Sequence, residues 1–352
     1  MKILIVTASY PFIMGGAEIH AQRLNFALQQ AGHQTELFSL PFKDYPPQNI
    51  LNTMLISRLL DVTEFVHKRT DLVIGLKFPA YLIQHPNKVL WVLHQYREAY
   101  ELWGNDQFTD LHHQPHGLSV RNAIINADNR AFAEAKRIFA NSKNVAKRMK
   151  IYNQFEAKAL YHPPLNAELF YCDDAHSMSP YFLFPSRITP IKRQALILEA
   201  LALTTQPIHV KFVGEADSDL YMAELTLKAH TLGVANRVTW LGRVSEDVKR
   251  DLYAQALAVL YPPYDEDFGY VTLEAMLSSK AVLTCADSGG PVEFVIDHQT
   301  GLVAQSTAQD VARCMDVLWA EHARTKTMGQ HGRDHFLQMN ISWESALQAL
   351  LE

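Results

Sequence analysis

Lys2-Ile-Leu-Ile-Val-Thr-Ala-Ser9, the turn Tyr10-Pro-Phe-Ile-Met-Gly15-Gly16, the run Ala17–Ala31 closed by Gly32, and then Gln34–Leu40 together decide the fold. The first segment is a short unbroken apolar run, which suits a strand buried on both faces of a parallel sheet. Ala17–Ala31 predicts a helix stopped by glycine at its carboxyl end, and Gln34–Leu40 returns as a strand. Strand, turn, helix and strand make one βαβ unit, and such units stack into doubly wound sheets with helices on both faces.

Working outward, the same alternation continues. Asp71–Lys77, Lys88–His94, Arg137–Asn141 and Ala159–His162 are strand candidates, with helical stretches near Asn49–Arg69 and Asn144–Tyr152. The pattern restarts at Tyr181–Ser186 and runs through His209–Gly214, Arg237–Leu241, Ala258–Tyr261, Ala281–Thr284 and Gly301–Val303. Between the halves, residues 162–180 are rich in proline and polar turn formers and read as a linker. A chain of 352 residues exceeds what one core fills. The expected organisation is an α/β chain of two doubly wound domains, 1–172 and 173–328, with 329–352 as terminal helices. Ligands bind outside the carboxyl ends of the strands in such sheets, so a cleft shared by the two domains is the expected site.

Composition narrows the function. Hydrophobic residues make up 48% and charged residues 20%, as in a globular protein. A formal charge of −5 supplies no cationic excess for a nucleic-acid backbone. Cys172, Cys285 and Cys314 are too few and too scattered for a disulfide framework or a cysteine metal site, which fits a reducing, cytoplasmic compartment. Met1–Ser9 is too short for a signal peptide, and no run reaches the roughly eighteen apolar residues of a membrane span. Lys136, Arg137, Lys143, Lys147, Arg148 and Lys150 make a local basic stretch, either a solvated helix face or an attraction for an anionic membrane or acceptor.

Chemistry concentrates at the turns. Glu266 and Glu274 stand eight positions apart in Tyr264-Asp-Glu266-Asp267-Phe268-Gly269-Tyr270-Val271-Thr-Leu-Glu274. The first carboxylate belongs to a loop after the apolar run Leu257–Tyr261, and Gly269 releases the chain into a helix. Two carboxylates accept hydrogen bonds from a polyhydroxylated partner, while helix amides and the macrodipole attract an anion. A sugar joined to phosphate satisfies both; an acid-rich helix start is the plainer reading.

At the restart of the second half, Phe184-Pro-Ser-Arg187-Ile-Thr-Pro-Ile-Lys192-Arg193 places a bidentate fork and a compact charge five residues apart, able to converge on one diphosphate. Gly15 and Gly16 offer bare backbone to an anion, although the spaced glycines of a dinucleotide fingerprint are absent. Ser288-Gly-Gly-Pro291-Val-Glu293 is a further glycine-rich turn. His94 ends a strand and points toward the expected cleft, where it would hydrogen-bond a sugar hydroxyl or a developing charge. His112-His113-Gln-Pro-His116 resembles a metal cluster, but no cysteine or carboxylate accompanies it at metal-site spacing. It reads as a polar loop, and no metal ligand set is expected.

Together these segments resemble the retaining glycosyltransferases of family 4, whose GT-B fold sets two Rossmann-like domains against a central cleft. The likeness is carried by the stretch Glu266 to Met276, by Ser186-Arg187-Ile-Thr-Pro-Ile-Lys192, by Leu241-Gly242-Arg243-Val244 and by Gly289-Gly290-Pro-Val-Glu293. The resemblance implies that Glu266 holds donor-sugar hydroxyls and that the amides around Asp267, Phe268, Gly269, Tyr270 and Val271 hold sugar and distal phosphate. Glu274 would grip the ribose, Arg187 and Lys192 would neutralise the diphosphate, and Arg243 and Val244 would face the base. From the other domain, Gly15 and Gly16 would give backbone contact and His94 would sit near the reacting carbon. The last helix, near Trp343–Leu350, would cross back to the first domain. Hexosyl transfer from a UDP- or GDP-sugar to a glycan or lipid-linked glycan is implied, without a metal cofactor, in the cytoplasm or peripherally at the inner membrane face. A sugar-nucleotide epimerase, a phosphorylase or a non-catalytic nucleotide-sugar-binding module on the same fold are the competing readings. Two departures stand out: Val213-Gly214-Glu215-Ala-Asp217 replaces the usual Gly-x-Gly, and Thr189-Pro-Ile-Lys192-Arg193 replaces the usual Glu-Lys-Gly turn.

Overall fold

In the computed structural model, which describes residues 1–13, 15–173 and 180–352, Ile3 to Ala8 are buried and alternate between the two faces of a sheet. Ile3 and Ile5 face one core, with Leu24 and Leu28, while Leu4 and Val6 face the other, with Phe78, Tyr81 and Phe132. This strand, β1 (Lys2–Ser9), is followed by α1 (Gly16–Gln30), β2 (Gln34–Pro41), α2 (Gln48–Leu59), the short hairpin β3 (Glu64–Phe65) and β4 (Lys68–Arg69), β5 (Leu72–Gly75) and β6 (Lys88–Val92). Then come α3 (Gly117–Ala133), β7 (Arg137–Ala140), α4 (Lys143–Asn153) and β8 (Lys158–Ala159). The sheet runs β2-β1-β5-β6-β7-β8, with every pairing parallel.

The second series is β9 (Phe182–Pro185), α5 (Gln194–Leu203), β10 (Val210–Val213), α6 (Asp219–Thr231), β11 (Val238–Trp240), α7 (Glu246–Gln255), β12 (Ala258–Leu260), α8 (Tyr270–Leu277), β13 (Ala281–Cys285) and β14 (Gly301–Ala304). It ends in α9 (Ala308–Ala320), α10 (His322–Gln338) and α11 (Trp343–Leu351). Its sheet, again parallel, runs β11-β10-β9-β12-β13-β14. In each sheet the chain leaves its first strand to one side and later returns to the other. The order reverses between β1 and β5 and between β9 and β12, the places where doubly wound sheets hold ligands.

The chain divides into two compact units, Met1–Leu165 with Ser342–Glu352, and Asn166–Ile341. The boundary precedes the expected 172/173, and α10 stays with the second unit, so only the last eleven residues return to the first. There Ala346, Leu347 and Leu350 cover the Ile3/Ile5 face, and Arg137 donates to the Ala349 and Leu350 carbonyls at 3.1 and 3.0 Å, satisfying a helix end. On the same face His20 and His162 meet at 2.7 Å, packed on Trp91 and Trp343. Burial pushes both imidazoles down, His162 to about 3.

Three expectations change. The helix expected over Asn49–Arg69 stops at Leu59, because Asp61 Oδ1 accepts from the Thr63 amide at 2.9 Å and its hydroxyl at 2.6 Å, a local turn that competes with helix. Residues 117–133 form α3, which the alternation pattern had missed. The basic stretch is not one solvated face: Arg137 caps α11, and Arg148 is buried beside Glu101 at 3.2 Å. The expected linker lies partly outside the described residues, at 174–179, as does Met14 in the first turn. Among the described residues, no helix is long and apolar enough to cross a membrane.

Candidate functional site

At the reversal in the second unit, the turns leaving β9 and β12 carry opposite charge and meet. Lys192 donates to Glu266, and also to the Tyr261 hydroxyl at 3.2 Å, with its ammonium 5.5 Å from the Tyr261 ring centroid. Both charged side chains are largely withdrawn from water, at 13% and 18% exposure, so the pair acts through a lowered dielectric. Burial and then Glu266 drive the Tyr261 phenol well above its ordinary range, and Glu274 adds to the shift. Tyr261 therefore stays a neutral donor between the two carboxylates singled out in the sequence.

Backbone bonds hold Glu266 in place. Its amide donates to the Ser288 carbonyl at 2.9 Å, and its own carbonyl accepts from the Gly290 amide at 2.8 Å. The close approach excludes a side chain at Gly290, where a Cβ would lie 2.4 Å from the Phe268 carbonyl oxygen. Gly269, at φ +90°, precedes α8 and would bring a Cβ to 3.0 Å from Pro291. Phe268 is buried edge-on to Tyr270 and Phe294, and Val271 is buried, whereas Asp267 is half-buried.

Glu274 sits in α8, 7% exposed, and accepts from the Tyr253 hydroxyl at 2.8 Å and from Lys249 Nζ at 3.1 Å. Burial pulls the Lys249 ammonium down, but Glu274 and Glu246 outweigh it and the net shift is upward. Each Glu274 oxygen thus has one protein donor, and a carboxylate oxygen accepts two.

Arg187 does not join the Lys192–Glu266 pair. Its guanidinium bonds Asp217 at 3.1 Å, and both side chains are exposed. Asp217 belongs to the segment that departs from the usual Gly-x-Gly, as does Glu215, 3.9 Å from exposed Arg243. Val244 beside it is half-buried. Arg193, standing where glycine is usual, has φ +62° at the start of α5. It makes two bonds to Asp287, at 2.7 and 2.6 Å, and stacks over Tyr264. The left-handed backbone explains why glycine suits this position. Burial raises and Arg193 lowers the Asp287 carboxyl, with a downward net result.

In the first unit, the reversal between β1 and β5 brings Glu18 to 3.6 Å from Lys77. Glu18 also accepts the Gly15 amide at 3.0 Å, so Gly15, expected to offer a bare N–H to an anion, already has an acceptor. Gly16 begins α1 directly. His94 Nδ1 lies 2.7 Å from the Gln95 carbonyl. A carbonyl only accepts, so Nδ1 carries a proton. At residues 112–116 the expectation that no carboxylate accompanies the histidines fails. Asp106 folds back onto His112 and His113, which residue spacing alone did not announce. Asp217, Asp287, Tyr253, Tyr261 and Lys249 were likewise not anticipated; Asp217, Tyr261 and Asp287 follow strands, whereas Lys249 and Tyr253 lie within α7, where nothing in the sequence set them apart.

Residues 174–335 match the glycosyl transferases group 1 family, and the Lys192–Glu266 and Glu274 clusters lie within the match. The chain is 32% identical over 131 residues to the alpha-1,3/1,6-mannosyltransferase ALG2 of Dictyostelium discoideum, a match covering 36% of this chain and 31% of that one. Over 179 residues it is 32% identical to the D-inositol 3-phosphate glycosyltransferase of Gordonia bronchialis, covering 48% and 38%. The chain thus spans about a third of the length of these curated relatives. The fold matches sucrose-phosphate synthase of Thermosynechococcus elongatus, with TM-score 0.79, 18% identity and 98% and 97% of the two chains covered. It also matches Anabaena HepE in complex with UDP and glucose, with TM-score 0.72, 18% identity and 98% of each chain covered. The fold of this chain is therefore GT-B.

Proposed function

We propose that the protein is a retaining hexosyltransferase, taking its sugar from a UDP- or GDP-hexose and delivering it to a hydroxyl of a glycan or lipid-linked glycan, in surface polysaccharide or glycoconjugate synthesis on the cytoplasmic side. The observation that carries this reading is the Lys192–Glu266–Tyr261 cluster at the β9/β12 reversal, beside the start of α8. It combines a held cation for phosphate with a carboxylate for hydroxyls. HepE, similar in fold, was crystallised with UDP and glucose, in keeping with a nucleotide-sugar donor here.

In the proposed reaction the bond between the sugar's anomeric carbon and the diphosphate breaks, and the diphosphate leaves with the electron pair. The acceptor oxygen bonds the same carbon from the same face, and its proton passes to a leaving phosphate oxygen. Lys192, with Arg187 released from Asp217, offsets the charge that develops on the phosphate, a term that often dominates catalysis. Glu266 orients the sugar hydroxyls, Glu274 takes the ribose through its remaining lone pairs, and His94 hydrogen-bonds a sugar hydroxyl. Charge neutralisation by these cations needs no metal cofactor.

Incubation with UDP- and GDP-hexoses and a lipid-linked glycan tests the reading, with the product's anomeric configuration read by NMR. Retention is expected, with kcat lowered by roughly 10²–10³ in Lys192→Ala. Inverted product, or parental turnover in both Lys192→Ala and Arg187→Ala, would sink it.

A further inference from the structure

Away from the donor-side clusters, one group of side chains in the first unit gathers metal-ligand chemistry. Asp106, His112 and His113 lie in the loop between β6 and α3. Asp106 Oδ1 is 2.7 Å from His112 Nε2 and 2.8 Å from His113 Nε2, and the imidazole centroids are 4.0 Å apart. One ligand atom from each residue falls within 4.8 Å of the other two.

The support beneath is firm. Leu111, buried at 2% exposure, anchors the single 3-10 turn Leu111–His113. His112 packs against Trp103 at 5.9 Å, and Arg121 covers the Trp103 ring at 5.0 Å. His112 Nδ1 is buried and unpartnered among the described residues, which leaves Nε2 as its accessible nitrogen, the one that faces Asp106. The Asp106 and His113 side chains are 75% and 66% exposed, so an ion has a path in.

We propose that Asp106, His112 and His113 bind one divalent transition cation of the Zn²⁺ class, with water completing a tetrahedral shell. Two imidazoles and a carboxylate suit such an ion, whose bonds to nitrogen and oxygen run about 2.0–2.2 Å. Tetrahedral ligands at that radius stand about 3.3 Å apart. The two contacts of Asp106 therefore open by roughly half an ångström on loading, within reach of two exposed side chains. The ion replaces the hydrogens now shared with Asp106. Once bound, it pins Asp106 to the turn at 112–113 and closes the loop that follows β6 and His94.

Protein dialysed against a chelator is titrated with Zn²⁺ alone by calorimetry. One equivalent is expected, with affinity weakened at least about tenfold by Asp106→Asn and by His113→Ala, and unaffected by His331→Ala on exposed α10. Equal concentrations of Ca²⁺, which prefers an all-oxygen shell, should not compete. Both informative substitutions fall on exposed side chains, so folding is not at stake. Absence of stoichiometric uptake, uptake that survives both substitutions, or equal loss in His331→Ala would overturn the proposal.

Discussion

Single residues separate holding the fold from holding a ligand. Glu274 is buried against Lys249 and Tyr253, so Glu274→Ala would strand a buried cation and cost about 3–5 kcal/mol of stability. Glu274→Gln keeps the shape and is the better probe. We expect it to lower unfolding free energy by about 1–3 kcal/mol and to weaken UDP or GDP, read by urea titration with and without nucleotide. An unchanged nucleotide affinity would remove Glu274 from the donor site. Glu266→Gln, at a half-buried position, should leave stability nearer parental and reduce transfer. The carboxylate pair was visible in the sequence because eight positions across a glycine-started helix constrain where both can go. Asp217 and Asp287 were not visible, because which cation each one meets depends on strands brought together by the fold.

Elements show why the architecture was the more legible part. Short runs bounded by turn residues placed the twelve strands of the two six-stranded sheets to within a few residues, most firmly β1, β5, β6, β9, β12 and β13, whose burial on both faces leaves a strong mark. The failures are local. Asp61 and Thr63 ended α2 early through side-chain bonds that no periodicity records, and α3 escaped because its apolar positions are interleaved with asparagine and arginine. Gly290 tests the element scale: the Glu266 loop and the turn after β13 share three backbone bonds across a gap that admits no Cβ. Gly290→Ala should destabilise by about 1–3 kcal/mol and reduce transfer along with stability. If denaturant melting and turnover were both parental, the loops would be less tightly joined than described.

For the molecule as a whole, one buried acid sets a pH dependence. Asp128 accepts from Tyr81 at 3.0 Å and Tyr100 at 2.7 Å inside the first unit, and burial pushes its carboxyl up to about 7 against the opposing pull of the two phenols. A carboxyl raised in the folded state contributes stability that is complete below its unfolded value near 4 and is lost as pH rises through 7. Stability should therefore fall between pH 4 and 7 by up to about 1.4 kcal/mol per unit, and Asp128→Asn should flatten that slope in urea titrations. An identical slope in the variant would assign the dependence elsewhere. A different consequence follows from where α11 ends up. Because residues 342–352 belong with 1–165, the whole second unit is a parenthesis opened and closed inside the other. A stop codon after Ile341 spares every group 1 residue, yet strips the lid from Ile3, Ile5 and Trp91. Damage from such a truncation would surface as aggregation of the half that lies farthest from the cut in sequence, and an excised first half would need its final eleven residues stitched back to stand alone.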